Sequence, residues 1–369
     1  MTEVKTVGVI FGGRSGEHEV SLLSARSIIA NLNPAKYRVI QIGITKDGRW
    51  LTGEDALSAF QNGQTRHLQP VGMLPEAGNH ILYRIDKENF EPFINLDVIF
   101  PVLHGTFGED GTLQGFLELI GIAYVGGGVL ASSVGMDKGL FKMVLRASNL
   151  PVLDYKLFTR RQVEQNAEAV MQKIEAAFPY PIFIKPANLG SSVGITKCRS
   201  RSDLIEGLYE AARYDRRIIV EQGLEKPREI EVSVLGNDEP IASLPGEVVP
   251  GEDFYTYSAK YLSDTSELLI PAPLTVEERE EIQRIAIETY RAIDCAGMAR
   301  VDFLLDRESG KIYVSEVNTI PGFTNISMYP KLWEASGLPY PALLERLIEL
   351  AEERKAERDR TEFSYRKEG

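Results

Sequence analysis

Cysteine is nearly missing: Cys198 and Cys295 are the only two in 369 residues, far apart and without C-x-x-C spacing. That excludes a disulfide framework and a zinc knuckle, and predicts a reducing compartment. Net positive charge is missing too. The 41 Lys and Arg against 53 Asp and Glu leave −12 at pH 7, where phosphate contacts to a nucleic acid would call for a basic face. No run approaches the ~18 apolar residues of a membrane span, and residues 1–30 lack a basic segment leading into an apolar core of signal length. The expectation is a cytoplasmic protein with neither nucleic-acid nor membrane partners. What is present is ordinary for a folded chain: 43% hydrophobic and 25% charged residues, and enough length, at ~150 residues per domain, for two or three cores.

The opening Thr6-Val7-Gly8-Val9-Ile10-Phe11 breaks at Gly12-Gly13-Arg14-Ser15-Gly16, after which Leu22, Ala25, Ile29 and Leu32 recur at helical spacing. Tyr37 to Thr45 and Asp97 to His104 read as buried strands, and Leu113, Phe116, Leu117 and Ile120 mark a helix ending at Gly121. Together they predict a parallel α/β unit ending near Gly128. A second unit begins with a helix over Asp137 to Ser148, continues through the strand Ile182-Phe183-Ile184-Lys185, and has a strand running into a connector at Val220 to Leu224. From Arg228 the pattern alternates, Ile230, Val232 and Val234 against Glu229, Glu231 and Ser233, which predicts an antiparallel sheet covered on one side. Thr275 to Glu278 is a capping-box helix start, and a charged amphipathic helix begins at Pro341.

The segments Ala299 to Leu305 and Ile312 to Asn318 both alternate, and Glu308-Ser309-Gly310 between them is turn chemistry: a hairpin. Period two puts Arg300 and Asp302 on one face, and Glu316 and Asn318 on one face of the partner strand. A turn centred on Ser309 sets Asp302 opposite Glu316. Like charges so placed are destabilising by roughly 0.2–1 kcal/mol and ask for a compensating cation. Two carboxylates and an amide oxygen, without His or Cys, select a hard ion such as Mg²⁺ that shares its shell with substrate phosphates.

Leu189-Gly190-Ser191-Ser192-Val193-Gly194 follows the strand carrying Lys185 and offers backbone N–H groups and two hydroxyls to phosphate oxygens. Turns of this composition are common, so the loop alone is a weak signal. No G-x-x-x-x-G-K-[ST] occurs, and Gly8-x-x-x-Gly12-Gly13-x-x-Gly16 misses the G-x-G-x-x-G spacing, which sets aside P-loop NTPases and dinucleotide enzymes. Lys138, Lys185 and Lys260 are candidate point charges for phosphates. The aromatic run Phe254 to Tyr261, bracketed by Pro250, Gly251, Pro271 and Pro273, reads as a long functional loop or lid.

In their order along the chain, Lys185 with Gly190 to Gly194, Glu221 to Leu224, Arg300/Asp302 and Glu316-Val317-Asn318-Thr319-Ile320-Pro321-Gly322 resemble an ATP-grasp ligase. His18 to Leu22, His104-Gly105 with Gly108 to Thr112, Gly135 to Lys138 and Tyr257 to Tyr261 are similar to motifs of the D-alanine:D-alanine ligase family. The resemblance covers about Gly8 to Ser327. It implies an α/β (α+β) chain of three units: a Rossmann-like parallel domain over 1–130 for the first D-alanine, a central ATP-grasp subdomain over 131–225, and a C-terminal one over 226–369 for metal and the second D-alanine. The implied reaction is ATP-dependent joining of two D-alanines through a D-alanyl phosphate, for peptidoglycan precursor synthesis and the cell wall.

The resemblance also implies roles. Asp302, Glu316 and Asn318 hold Mg²⁺ or Mn²⁺, two ions; Lys138, Lys185 and Lys260 contact ATP phosphates, with Ser192 in the ATP-binding set; Glu221 and Leu224 meet adenine and Glu229 the ribose. Arg300 and the backbone N–H of Gly322 hold the oxyanion. Glu19 orients the ammonium of the first D-alanine, linked through Ser191 to Tyr261 in a closed lid. Ser327 takes the second D-alanine carboxylate, and His104 belongs to the active site. A homodimer is the family expectation. D-alanine:D-lactate and D-alanine:D-serine ligases are same-architecture rivals, to which Tyr261 and His104 are less alike; a catalytically dead ATP-binding regulator is a rival of another class, against which the intact Arg300, Asp302, Glu316 and Asn318 set speaks. Leu189 stands where some relatives carry an acidic residue, and no substrate contact is assigned to it.

Overall fold

The computed structural model of the chain describes residues 4–87, 89–190, 193–249, 267–324, 326–362 and 364. Among them a first sheet contains β1 (Lys5–Gly12), β2 (Tyr37–Ile44), β3 (Trp50–Thr52), β4 (Gln69–Met73), β5 (Ile81–Asp86), β6 (Asn89–Asn95), β7 (Val98–Pro101) and β8 (Ala123–Tyr124), in the order β6-β5-β4-β3-β2-β1-β7-β8. The sheet is mixed. β1, β2, β7 and β8 run parallel as the sequence predicts, whereas β3 to β6 extend the sheet antiparallel. The connection over 45–49 is too short for a crossover helix, so the chain can only return beside β2. Helix α1 (His18–Asn31) buries Leu22, Ala25 and Ile28, α2 (Ala56–Gln61) packs beside it, and α3 (Thr112–Ile120) stops at Gly121, whose φ of 76° is a left-handed cap.

Two helices follow, α4 (Val129–Met136) and α5 (Lys138–Ala147), the second capped by the Asp137 carboxylate, which accepts from Leu140 N at 2.8 Å. The second sheet holds β9 (Tyr155–Thr159), β10 (Ile182–Pro186), β11 (Thr196–Cys198) and β12 (Arg217–Gln222), all antiparallel in the order β11-β10-β12-β9. Helices α6 (Arg160–Glu175) and α7 (Arg201–Tyr214) share one core with Ile182, Ile184, Ile218 and Val220. Alternation along β10 and β12 therefore turns Lys185 and Glu221 to the face away from α6 and α7, on which α5 lies.

The third sheet comprises β13 (Arg228–Gly236), β14 (Ile241–Ala242), β15 (Gly246–Val249), β16 (Glu267–Leu269), β17 (Gly297–Leu305) and β18 (Ile312–Asn318), antiparallel throughout, in the order β16-β15-β13-β17-β18 with β14 beside β13. Helix α8 (Val276–Ala292) opens on the capping box Thr275/Glu278 and packs Ile282, Ile285 and Tyr290 on Ile230, Val232 and Val234, joined by Val134, Phe141 and Leu145 of α4 and α5. The sheet is covered on both faces, not one. The chain after β18 folds back as α9 (Met328–Ala335) over the polar side of β13, where Ser233 is buried and donates to Tyr329 O at 3.2 Å.

The last helix, α10 (Tyr340–Arg358), sends Leu343, Leu344, Leu347 and Ile348 into the core of the first sheet beside Val7, Val9 and Phe100. Lys5 Nζ meets Glu352 at 2.6 Å, and Arg354 reaches Tyr124 O at 3.0 Å. No helix among the described residues is long and apolar enough to cross a membrane.

Candidate active site

The hairpin forms in the expected register: Asp302 opposes Glu316 and Arg300 opposes Asn318, with a bulge just after Asp302. On the other side Asp302 opposes Glu231, so three carboxylates line up across β13, β17 and β18. Their compensating cation is in the first instance a side chain. Arg300 donates from Nε and Nη2 to the two oxygens of Asp302, both at 2.6 Å, and its Nε lies 3.0 Å from Glu231 Oε2. Charge opposition alone thus no longer demands an ion; the donor chemistry still fits one. Asn318 gives its Nδ2–H to Asp302 Oδ2 at 3.2 Å, which leaves its amide oxygen out of that bond, and Asn318, Glu316 and Arg300 line one cavity. Carboxylate and amide oxygens without nitrogen or sulfur suit a hard divalent cation.

Lys138 stands in the first turn of α5, where Nζ donates to Leu189 O at 2.6 Å and lies 3.9 Å from Glu316. Opposite, the buried Glu221 takes two cations: Lys142 Nζ at 2.7 Å and Lys185 Nζ at 2.6 Å. Burial alone would push the Glu221 carboxyl up, but the two ammoniums outweigh it and hold it at about 2. Burial likewise works against the Lys185 ammonium, and Glu221, with Glu316 and Glu229 beyond it, raises its pKa instead. Lys142 was not singled out from the sequence, although its place one helical turn after Lys138 puts both on the same side of α5. Leu224, half-buried, follows β12 in the connector, and Glu229 lies on β13.

The helix start of α1 requires a correction. Glu19 points to solvent, its side chain 61% exposed, and pairs with Lys46 at 2.6 Å; that hydrogen bond lowers its pKa. Glu17, two residues earlier, is 8% exposed and lines the cavity with Glu109, Lys138, Gly190, Arg300, Glu316 and Asn318. Residues two apart on a helix face opposite sides, so only one of the pair can reach the site. Gly105, at φ 75°, is where a Cβ would sit 2.3 Å from Glu17 Oε2, so a side chain there would displace the carboxylate.

His104 is buried, with Nδ1 3.0 Å from Ile320 O and Nε2 3.0 Å from Ser24 Oγ; burial pulls its pKa down to about 4. Glu109 accepts from Gly105 N and Ile320 N, and desolvation together with the neighbouring Glu17 charge pushes its carboxyl up to about 8. A Cβ on Gly322 would stand 2.7 Å from Ser327 Oγ, which puts the Ser327 hydroxyl against that backbone. Ser327 Oγ accepts from Thr324 N at 3.0 Å. The Ser191, Ser192, Lys260 and Tyr261 expectations, and the lid run Phe254 to Tyr261, lie outside the described residues.

A small antiparallel sheet presenting Lys185 and a larger one presenting Asp302 and Glu316, with α5 bringing Lys138 between them, define an ATP-grasp ligase. Models described as D-ala D-ala ligase N-terminus and C-terminus match residues 6–127 and 144–349. The chain therefore belongs to the D-alanine–D-alanine ligase family. It is 49% identical over 361 residues to the D-alanine–D-alanine ligase of Natranaerobius thermophilus, covering 97% of this chain and 98% of that one. To the D-alanine–D-alanine ligase of Ruminiclostridium cellulolyticum it is 50% identical over 364 residues, covering 95% and 96%. Solved structures similar to it include the D-alanine-D-alanine ligase from Coxiella burnetii, at 38% identity and TM-score 0.83 over 97% of both chains. A D-Ala:D-Ser ligase from Enterococcus faecalis matches at 37% identity and TM-score 0.84 over 95% of this chain and 100% of that one.

Proposed function

We propose that this protein joins two D-alanines at the expense of ATP, supplying D-alanyl-D-alanine for peptidoglycan. The observation that carries the reading is one cavity walled by Glu17, Lys138, Arg300, Glu316 and Asn318. It offers an anion for an amino acid's ammonium, a cation for phosphate, and a guanidinium held by Asp302 for a developing oxyanion. A bare carboxylate has no leaving group, so its oxygen first attacks the γ-phosphorus, the bond to the bridging oxygen breaks and ADP departs. The amine of the second D-alanine then adds to the acyl carbon, loses a proton, and expels phosphate.

Glu17 takes the ammonium role expected of Glu19. Lys138 and Lys185 steady the phosphates, Glu221, Leu224 and Glu229 the nucleoside, and Arg300 with Gly322 N–H and Ser327 the reacting carbonyl and second carboxylate. Asp302, Glu316 and Asn318 would hold Mg²⁺ or Mn²⁺, two ions, which neutralises charge on the transferring phosphoryl group. The division at residues 130 and 225 is supported by each sheet falling within one segment, with α4 and α5 packing across to the third sheet. Exposed Leu119, Val129 and Leu130 on the adjoining α3 and α4 support a homodimer, and two buried free thiols support a cytoplasmic setting.

The test is mass spectrometry of products from protein, ATP and Mg²⁺ with D-alanine, L-alanine, D-alanine plus D-serine, or D-alanine plus D-lactate. D-alanyl-D-alanine formed in step with phosphate is expected. ATP cleavage without that dipeptide, or preference for D-serine or D-lactate, would overturn the choice of second substrate.

A further inference from the structure

Ile320 belongs to the segment after β18, yet both of its backbone groups are held by side chains from the first sheet's unit. Its N–H donates to Glu109 Oε1 at 3.2 Å, and its carbonyl lies 3.0 Å from His104 Nδ1. Three residues on, Phe323 N–H donates to Ser24 Oγ at 3.2 Å, and that hydroxyl lies 3.0 Å from His104 Nε2. The second Glu109 oxygen accepts Gly105 N–H at 2.7 Å. Pro321 and Gly322 are therefore pinned from both sides.

For the neutral ring the protons have one arrangement. A carbonyl can only accept, so Nδ1 of His104 carries the hydrogen; Nε2 of a neutral imidazole then accepts, and the hydrogen comes from Ser24 Oγ. Ser24 spends its hydrogen on His104 and a lone pair on Phe323 N–H. Every ring nitrogen is occupied inside the protein, and none is left to take a proton from a substrate. The charged or titratable groups around the ring are Arg300, which faces it from β17, and Glu109 and Glu17 beyond. Burial and the nearby Arg300 charge both favour the uncharged ring, in which the chain of hydrogen bonds closes.

We propose that Ser24, His104 and Glu109 form a clamp that fixes Gly322 N–H where the oxyanion develops. All three are positioning residues, and His104 is not the general base. This rests on the oxyanion role of Gly322 given above, and it makes geometry at the acyl centre depend on the unit that holds the first amino acid. A strongly directed N–H is worth most when it need not reorient during reaction.

Ser24→Ala removes the hydroxyl from both Phe323 and His104, and Glu109→Gln replaces one of two acceptors by a donor. The full-length variants should bind ADP as tightly as wild type. Their kcat should drop at least about tenfold with the KM values for ATP and first D-alanine nearly unchanged, and affinity for a tetrahedral phosphinate dipeptide analogue should fall in parallel. The acid limb of the wild-type pH profile should persist in Ser24→Ala, because no catalytic ionisation has been removed. Hydrogen exchange gives a readout apart from activity: the Phe323 amide should be protected in wild type and exchange faster in Ser24→Ala. Unchanged kcat and analogue affinity, or loss of the acid limb, would overturn the clamp. Slow exchange at Phe323 in a wild type that makes no dipeptide would instead count against the ligase reading. Should Ser24→Ala fail to fold, Glu109→Gln and Glu109→Asp carry the same kinetic comparison.

Discussion

At the boundary of α1 the Glu17 carboxylate lies close to the helix N-terminus, where negative charge is favoured, and its oxygens face Gly105 and Gly190. A hydrogen bond to a charged group contributes about 1.5–3 kcal/mol, so Glu17→Gln should raise the KM for the first D-alanine roughly tenfold or more. Glu19→Gln, losing only an exposed pair with Lys46, should leave both kinetic constants nearly alone, and steady-state kinetics on the two variants measures the contrast. A second prediction concerns His104. Its value of about 4 lies below the unfolded one of 6.5, so its burial contributes stability above about pH 6.5 that is lost as pH falls toward 4. The difference is worth about 3 kcal/mol at full effect. Nitrogen-15 NMR over the four histidines should show one imidazole, His104, that stays neutral and Nδ1-protonated down to pH 5; His104 itself titrating near 6.5 would contradict the assignment.

Between strands, the row Glu231, Asp302 and Glu316 is tolerated because Arg300 is locked among its members. Arg300→Ala therefore has two effects. Loss of a transition-state donor costs about 2.7–4 kcal/mol and should cut kcat at least a hundredfold, and unpaired carboxylates should lower the melting temperature as well. Arg300→Lys should regain the melting temperature more than the rate, since an ammonium replaces charge but not the two-pronged geometry. The hairpin was legible in advance because alternation and a Glu-Ser-Gly turn fix a register between them, and the register paired Asp302 with Glu316. Other features were not legible. Helical periodicity could not choose between Glu17 and Glu19, since the choice depends on where the Gly loop turns α1 relative to the cleft. The antiparallel strands β3 to β6 are short and irregularly patterned, and β13 hid its second covered face because Ser233 and Glu231 are polar groups satisfied by distant chain. Lys142 carried no signal of its own and Glu109 only its place in the Gly108 to Thr112 motif, because their partners lie 79 positions away at Glu221 and 211 at Ile320.

Across the molecule, the first sheet does not complete its own core. Leu343, Leu344, Leu347 and Ile348 of α10 fill it, and ion pairs Lys5–Glu352 and Lys36–Glu345 fasten the helix at its edge. A fragment of residues 1–130 should accordingly fail to give a cooperative unfolding transition, and adding a peptide of residues 339–362 in trans should restore part of it; calorimetry on fragment, peptide and mixture makes the comparison. A fragment that melts cooperatively alone would show that α10 is an accessory. The packing also has a temporal side. During synthesis the first sheet leaves the ribosome well before the helix that finishes its interior, with the whole of the second and third sheets translated between them, so the nascent chain carries an unfinished apolar surface throughout that interval. Newly made molecules stay open to chaperones and proteases until α10 emerges, and a message truncated ahead of that helix yields a protein with a hole in its first-made sheet.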